Sequence, residues 1–367
     1  MKRLTEFDQL ADPTFSGAVV AWQQQHGRHA LPWHNTTDAY RIWLSEIMLQ
    51  QTQVSAVLGY YARFLERFPT LLALAAAPQG DVMALWSGLG YYTRARNLHA
   101  CARRVVAEYG GAFPSEPALL AGLPGIGRST AAAISAFSSG TRAAILDGNV
   151  KRVFARVFGI DQYPGLKAVE EALWRRAEAL LPDSGIERYT QGLMDLGATL
   201  CTRARPDCAR CPLRERCVAF ANGRTGELPV RKPKKTKPEK RAAMLVIVDR
   251  GQVLLEQRAD SGIWGGLLSL PEVDGHADID APAPSAPDTL AAAGRFGVVE
   301  EVHALAPLVH VFTHYKLHIH PHRILLAQRA ALEPGHVWWE LADIDKAPLP
   351  APVKKLLAQL AQPTLFT

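Results

Sequence analysis

CTRARPDCARCPLRERC, residues 201–217, holds four of the chain's five cysteines, and its reading decides the fold. Cys201, Cys208, Cys211 and Cys217 are separated by six, two and five residues. A zinc ribbon pairs two C-x-x-C knuckles, which this uneven spacing does not do. A disulfide framework is spread along a chain, whereas the rest of this one holds only Cys101. Four soft thiolate donors on one short loop, stiffened by Pro206 and Pro212, suit a single [4Fe-4S] cluster. Zinc and unligated thiols are the alternatives that the residues leave open. Arg203, Arg205, Arg210, Arg214 and Arg216 alternate with the cysteines. That density of guanidinium groups suits a loop that faces DNA better than one that passes electrons.

Outward from this loop, the chain is long enough for two cores, with 367 residues of which 48% are hydrophobic. No apolar run reaches the roughly 18 residues of a membrane span. The N-terminal MKRLTEFDQL lacks the apolar stretch of a signal peptide. Few cysteines, most of them clustered, imply a reducing cytosol. The net charge of +6 is unevenly placed. Residues 1–230 hold 25 basic and 20 acidic residues, and RKPKKTKPEKR (231–241) holds seven and one. Residues 242–367 hold 9 and 14. The first block and the basic run can therefore meet a polyanion, while the run also reads as an extended, self-repelling tether.

From residue 13 to 220 the pattern is helical, with apolar residues at three- and four-residue spacing in 40–58, 93–109, 129–138 and 150–158. Breaks fall at Pro69, Gly110-Gly111, Pro124-Gly125 and Pro164-Gly165. An all-α domain over 1–228, a Pro/Lys linker over 229–241 and an α+β domain over 242–362 are expected. In the last, 244–248, 253–255, 318–324 and 337–340 read as strands, 280–288 as a loop and 353–360 as a closing helix. No internal repeat is evident.

Three constellations carry chemistry. Leu123-Pro124-Gly125-Ile126-Gly127 lies between helical segments and has the form of a helix-hairpin-helix. Its glycines allow a tight turn and leave the next helix's free N–H groups open to a phosphate, although an ordinary corner between two helices has the same look. Asp147, in LDGNVKRV (146–153), precedes a helix. It reads as a plain N-cap or as a carboxylate kept ionised by backbone donors and the helix dipole. Glu46, in WLSEIMLQQT (43–52), stands among Ile42, Trp43, Ile47 and Met48. A desolvated glutamate there would hold its proton and serve as a general acid; a solvated one would do nothing.

Hairpin, Asp147, Glu46 and cysteine loop occur in the order and spacing of the endonuclease III-like DNA glycosylase superfamily. SEIMLQQTQV (45–54), GLGYY (88–92), LPGIGRSTA (123–131) and LDGNVKRV resemble the MutY-type adenine glycosylases, and the likeness covers essentially the whole chain. The resemblance implies a monomeric, cytoplasmic, nucleoid-associated bacterial enzyme. It would remove adenine mispaired with 8-oxoguanine or guanine from double-stranded DNA after flipping the base out. It implies Glu46 as proton donor, Asp147 as stabiliser of the sugar cation and Asn149 as their orienting partner. One [4Fe-4S] cluster would be held by Cys201, Cys208, Cys211 and Cys217. Leu123, Gly125, Gly127 and Ser129 fall in the DNA-binding hairpin. Gln51, Thr52 and Leu89 map near the opposite base, and Tyr91 to the wedge beside it. Bifunctional relatives carry a nucleophilic lysine where this chain has Ser129, so a monofunctional, water-using glycosylase is implied. His34 has no assigned role and reads as a surface histidine. WGGLLSLPEV (264–273) resembles a Nudix-like domain, but no Arg-Glu-x-x-Glu-Glu helix follows it, so a reader and not a second hydrolase is expected. The family's Phe-Ser-His reading loop stands here as Phe312, Thr313 and His314. A thymine- or pyrimidine-specific glycosylase, a non-catalytic lesion binder and a nucleotide-pool hydrolase are the rival readings.

Overall fold

The computed structural model describes residues 10–233 and 236–360. The expected absence of a signal peptide, the middle of the basic linker (234–235) and the last two residues of the α+β domain lie outside the described residues. The chain divides into two compact units, Met1–Ala76 with Ala100–Lys234, and Ala77–His99 with Lys235–Thr367. The sequence reading places residues 77–99 in the helical domain; the contacts group them with the C-terminal unit.

The helices in chain order are α1 (Pro13–His26), α2 (Ala39–Leu49), α3 (Val54–Arg67), α4 (Leu71–Ala76), α5 (Gln79–Trp86), α6 (Thr93–Tyr109) and α7 (Pro117–Ala121). Then follow α8 (Arg128–Ser139), α9 (Gly148–Val157), α10 (Lys167–Ala179), α11 (Ile186–Asp195) and α12 (Val218–Ala221). Their ends follow local chemistry. Asp12 accepts from the backbone N–H groups of Thr14 and Phe15 to start α1, and Asp38 accepts from Tyr40 and Arg41 to start α2. Gly140, at φ 67°, closes α8 in a conformation glycine adopts without strain. The expected single helix over 40–58 is two. After Leu49 the chain turns through polar Gln50, Gln51, Thr52 and Gln53, with Gln51 at φ 56°, and α3 begins at Val54. Past α11 the helix widens into a π turn, Leu196–Leu200.

The core of this unit packs Phe15 and Val19 of α1 against Val150 and Phe154 of α9 and Leu193 of α11. Phe15 and Phe154 meet edge to face at 6.0 Å. A Cβ on Gly192 would lie 2.7 Å from Val19 Cγ1, so α1 and α11 touch at a position only glycine can fill.

In the second unit, eight strands form a mixed sheet: β1 (Glu239–Asp249), β2 (Gln252–Gln257), β3 (Leu268–Ser269), β4 (Ala277–Asp278), β5 (Gly297–Ala304), β6 (Leu308–Val311), β7 (Lys316–Arg329) and β8 (His336–Glu340). The central order is β3-β2-β1-β7-β5, with β1 and β7 parallel and β1-β2 and β5-β7 antiparallel. Helices α13 (Ala286–Gly294) and α14 (Ala351–Leu360) complete it. Two expectations need correction. β1 already begins at Glu239, inside the expected linker, where its parallel pairing with β7 starts opposite Lys316 and the Glu239 carboxylate meets Lys316 and His318. The expected loop over 280–288 ends in a helix start: Ser285 and Asp288 form a capping box that begins α13. Among the described residues no helix is long and apolar enough to cross a membrane.

Candidate active site

An open cavity of about 2060 Å³ lies in the first unit. Glu46 lines it from α2, Asp147 and Asn149 from the start of α9, and Ser129 from the start of α8. The glutamate's helix explains its setting. Ile42, Trp43, Ile47 and Met48 are all buried, so Glu46 reaches the cavity through an apolar wall. Burial pushes its pKa up to about 7, and the charge of Asp147 adds to the rise. The two acids, 101 positions apart in sequence, thus share one cavity and feel one another.

Asp147 is both the N-cap of α9 and a cavity group. Its Oδ1 accepts from Val150 N at 2.8 Å, and its Oδ2 accepts from Asn149 Nδ2 at 3.5 Å. These donors and the charge of Arg152 favour the anion, but burial outweighs them and lifts the pKa above the ordinary carboxylate value. The donors expected from sequence are present; the desolvation that opposes them is a property of the fold. With two carboxyls in one cavity, the proton resides on the one with fewer donors to its anion, which is Glu46.

Behind Asp147 runs a chain of contacts that motif reading misses. Arg152 donates to Asn149 Oδ1 at 2.7 Å, to Gly197 O at 2.7 Å and to Cys201 O at 2.8 Å. A Cβ on Gly197 would lie 2.5 Å from Asn149 Cβ, so the π turn can approach Asn149 only through a glycine. The buried Asp195 carboxylate accepts from Arg28 Nε at 2.7 Å and from Gln191 Nε2 at 2.8 Å. Arg28 and Gln191 line the same cavity. Arg152 was readable in part, since it lies three residues past Asn149 on one helix face; nothing in the sequence marks Gly197 or Asp195.

The remaining candidates are distributed as follows. His34 is not a surface histidine. It is half-buried in the cavity wall, its Nδ1 donates to Arg28 O at 2.6 Å, and burial lowers its pKa. Gln51 and Thr52 line the same cavity. Ser129 Oγ accepts from Leu146 N at 2.9 Å, which ties the hairpin to the approach to Asp147. Lys151 is paired with Glu170 at 2.6 Å and is not part of the cavity wall. In the hairpin, Leu123 and Ile126 are buried, Gly125 has φ 75°, and Gly127 precedes the free end of α8. In the second unit, Leu89 is buried, whereas Tyr91 is 45% exposed at φ 50°. Phe312 is half-buried, and Thr313 and His314 are exposed in the β6–β7 turn.

The four clustered cysteines are half-buried and none is in a disulfide. They line one hollow with Val153, Leu196, Leu200 and Leu213. Cys208, Cys211 and Cys217 each feel the charge of Cys201, which marks the thiols as neighbours. The buried Arg156 donates to Cys201 Sγ at 3.3 Å and to Thr202 O at 2.7 Å. Among the described residues no three metal-binding side chains already converge on one ion-sized point. Four thiols around one apolar hollow, with a guanidinium N–H on one sulfur, form a donor set that fits a thiolate-bound metal group.

Residues 44–179 match the model for HhH-GPD superfamily base excision DNA repair proteins, and residues 242–359 match the NUDIX domain. An adenine DNA glycosylase of Buchnera aphidicola subsp. Baizongia pistaciae is 33% identical over 349 residues, covering 94% of this chain and 96% of that one. The adenine DNA glycosylase of Homo sapiens is 32% identical over 409 residues, covering 95% and 74%. A solved thermostable thymine-DNA glycosylase superposes with a TM-score of 0.52 at 30% identity, covering 57% of this chain and 96% of that one. With glycosylase relatives aligned across nearly its whole length and two carboxyls set in one cavity, the chain belongs to the adenine DNA glycosylase family of base excision repair enzymes.

Proposed function

We propose that this glycosylase removes adenine mispaired with 8-oxoguanine, or with guanine, from double-stranded DNA, and that it acts as a monofunctional monomer. The observation that carries the reading is Glu46, lifted to about 7 in a cavity it shares with Asp147. A purine within a duplex cannot reach two acids in a cavity wall, so the nucleotide is extruded first. Protonated Glu46 gives its proton to adenine N7. The C1′–N9 bond breaks, its electron pair leaves with the neutral base, and the sugar becomes a cation. Asp147, held by Val150 N and Asn149, faces that cation as an anion. Water adds to C1′ and yields its proton to a carboxylate. Ser129 offers no amine for a Schiff base, and Lys151 is engaged by Glu170.

Cys201, Cys208, Cys211 and Cys217 would hold one [4Fe-4S] cluster, which when bound cross-links the arginine-bearing loop. The free N-terminus of α8 and the turn at Gly125 and Gly127 suit a backbone phosphate. The exposed Thr313 and His314, beside Phe312, and the exposed ring of Tyr91 suit contact with the base opposite adenine. The second unit reads rather than hydrolyses, since the one acid of α13, Asp288, is committed to the capping box. The test is Glu46→Gln: excision from an adenine:8-oxoguanine duplex should vanish while binding persists. Excision near the wild-type rate would overturn the assignment. Phe312→Ala with His314→Ala should level the rates opposite 8-oxoguanine and guanine.

A further inference from the structure

We propose that Arg96 is a positioning residue that makes the turn bearing Tyr91 and the turn bearing Phe312, Thr313 and His314 respond as one body to the base opposite adenine. This rests on the reading of those two turns given above. Arg96 stands in the first turns of α6, five positions after Tyr91, within the same compact unit as the sheet. Its NH1 donates to the carbonyl oxygen of Gly265, and its NH2 to Thr93 Oγ1 at 3.1 Å.

Gly265 follows Trp264, a non-glycine residue held at φ 57°. A tryptophan in that region is strained and stays there only if its surroundings hold it. Its ring packs on Phe312 at 5.6 Å, on His310 at 6.1 Å and on His276 at 5.9 Å. The carbonyl gripped by Arg96 is thus one residue from the ring against which the reading turn rests. Gly266 next to it, at φ 75°, has Gln79 and Arg96 so close that a Cβ would lie 3.4 Å and 3.6 Å from them. Gln79 itself donates to Asp260 at 3.2 Å.

The Tyr91 turn is fixed to the same body at its other end. Ser87 Oγ donates to Leu349 O at 2.9 Å, and Tyr92 Oη reaches the same oxygen at 3.5 Å. Trp86 Nε1 donates to Gly90 O at 3.1 Å, and the Arg94 guanidinium lies over the rings of Trp86 and Tyr91 at 5.3 and 5.4 Å. The turn therefore has no slack of its own. A displacement of Tyr91 passes through the first turns of α6 to Arg96, and from there to Trp264 and Phe312.

The experiment compares excision of adenine opposite 8-oxoguanine and opposite guanine in the full-length enzyme. Arg96→Met should reduce the preference for 8-oxoguanine by about tenfold, within the usual span of coupling between sites, and leave the maximal rate opposite guanine unchanged. Arg96→Lys, which can still donate to Gly265, should restore most of it. An unchanged preference in Arg96→Met would overturn the coupling. Amide exchange in the wild type gives an answer that does not depend on a variant folding. A duplex with a non-cleavable adenine analogue opposite 8-oxoguanine should protect residues 88–92 and 310–315 together. Protection of 88–92 by any duplex, with 310–315 protected only by 8-oxoguanine, would sink the proposal. If Phe312→Ala with His314→Ala leaves the preference intact, the reading of the turn fails; if that pair abolishes it and Arg96→Met does not, only the coupling fails.

Discussion

At the scale of single residues, the proposed chemistry turns on where one proton sits. Glu46 is lifted from an ordinary 4.5 to about 7, so it is the acid form that is lost as pH rises. Single-turnover excision should fall about tenfold per unit above pH ~7, as expected for a required general acid, and should fall again on the acid side as Asp147 gains a proton. The same shift has a consequence for stability. Between pH 4.5 and about 7 the folded chain holds a proton that the unfolded chain has released. Stability should therefore be fully present below 4.5 and decline as pH rises to about 7, by up to about 3 kcal/mol at 1.36 kcal/mol per pH unit. Chemical denaturation at pH 5 and 8 measures this, and Glu46→Gln should remove the Glu46 share of the difference. The identity of Glu46 was legible in sequence from its apolar neighbours on α2. The burial at Asp147 was not, because it comes from tertiary packing around α9, which lies against α11 and the π turn, rather than from its own neighbours.

At the scale of elements, start points were legible and interruptions were not. Asp147 announces its helix, since a carboxylate one residue before a helix satisfies free N–H groups. The turn at Gln50–Gln53 breaks an apolar pattern that would suit one continuous helix, and Gln51 enters a left-handed conformation that no local residue demands. The π turn at Leu196–Leu200 is equally silent. That turn yields a sharp expectation. In Gly197→Ala the new methyl would collide with Asn149, displacing it and the Arg152 contacts beside Asp147. Excision should fall by ten- to a hundredfold, about 1.4–2.8 kcal/mol of barrier, while thermal unfolding shows an intact first unit. A rate within twofold of wild type would show that Asn149 does not position Asp147.

Across the whole molecule, charge separates the roles of the parts. Of the arginines in the cysteine loop, Arg216 is committed to Asp12 at 2.5 Å, whereas Arg203 and Arg205 are exposed. Replacing both with glutamine should weaken binding about equally for every duplex sequence and reduce the log-affinity versus log-salt slope by about 2. An unchanged slope would remove them from the DNA face. The linker is less free than its composition implies. Lys237 donates to Phe312 O at 2.8 Å, and the Lys240 ammonium lies 5.7 Å from the centre of the Tyr315 ring. The two-part plan of the chain was readable from the change in pattern near residue 241; the membership of residues 77–99 was not, since their partners lie far along the chain. Ser87 must wait for Leu349, 262 positions later. At a ribosome's pace of about 5–20 residues per second, that is roughly 13–52 s. Throughout this interval the nascent chain carries Ser87 without the carbonyl oxygen it binds in the finished protein. Besides presenting Tyr91, this stretch makes a demand on biogenesis: a holding chaperone should engage the growing polypeptide there until Leu349 emerges.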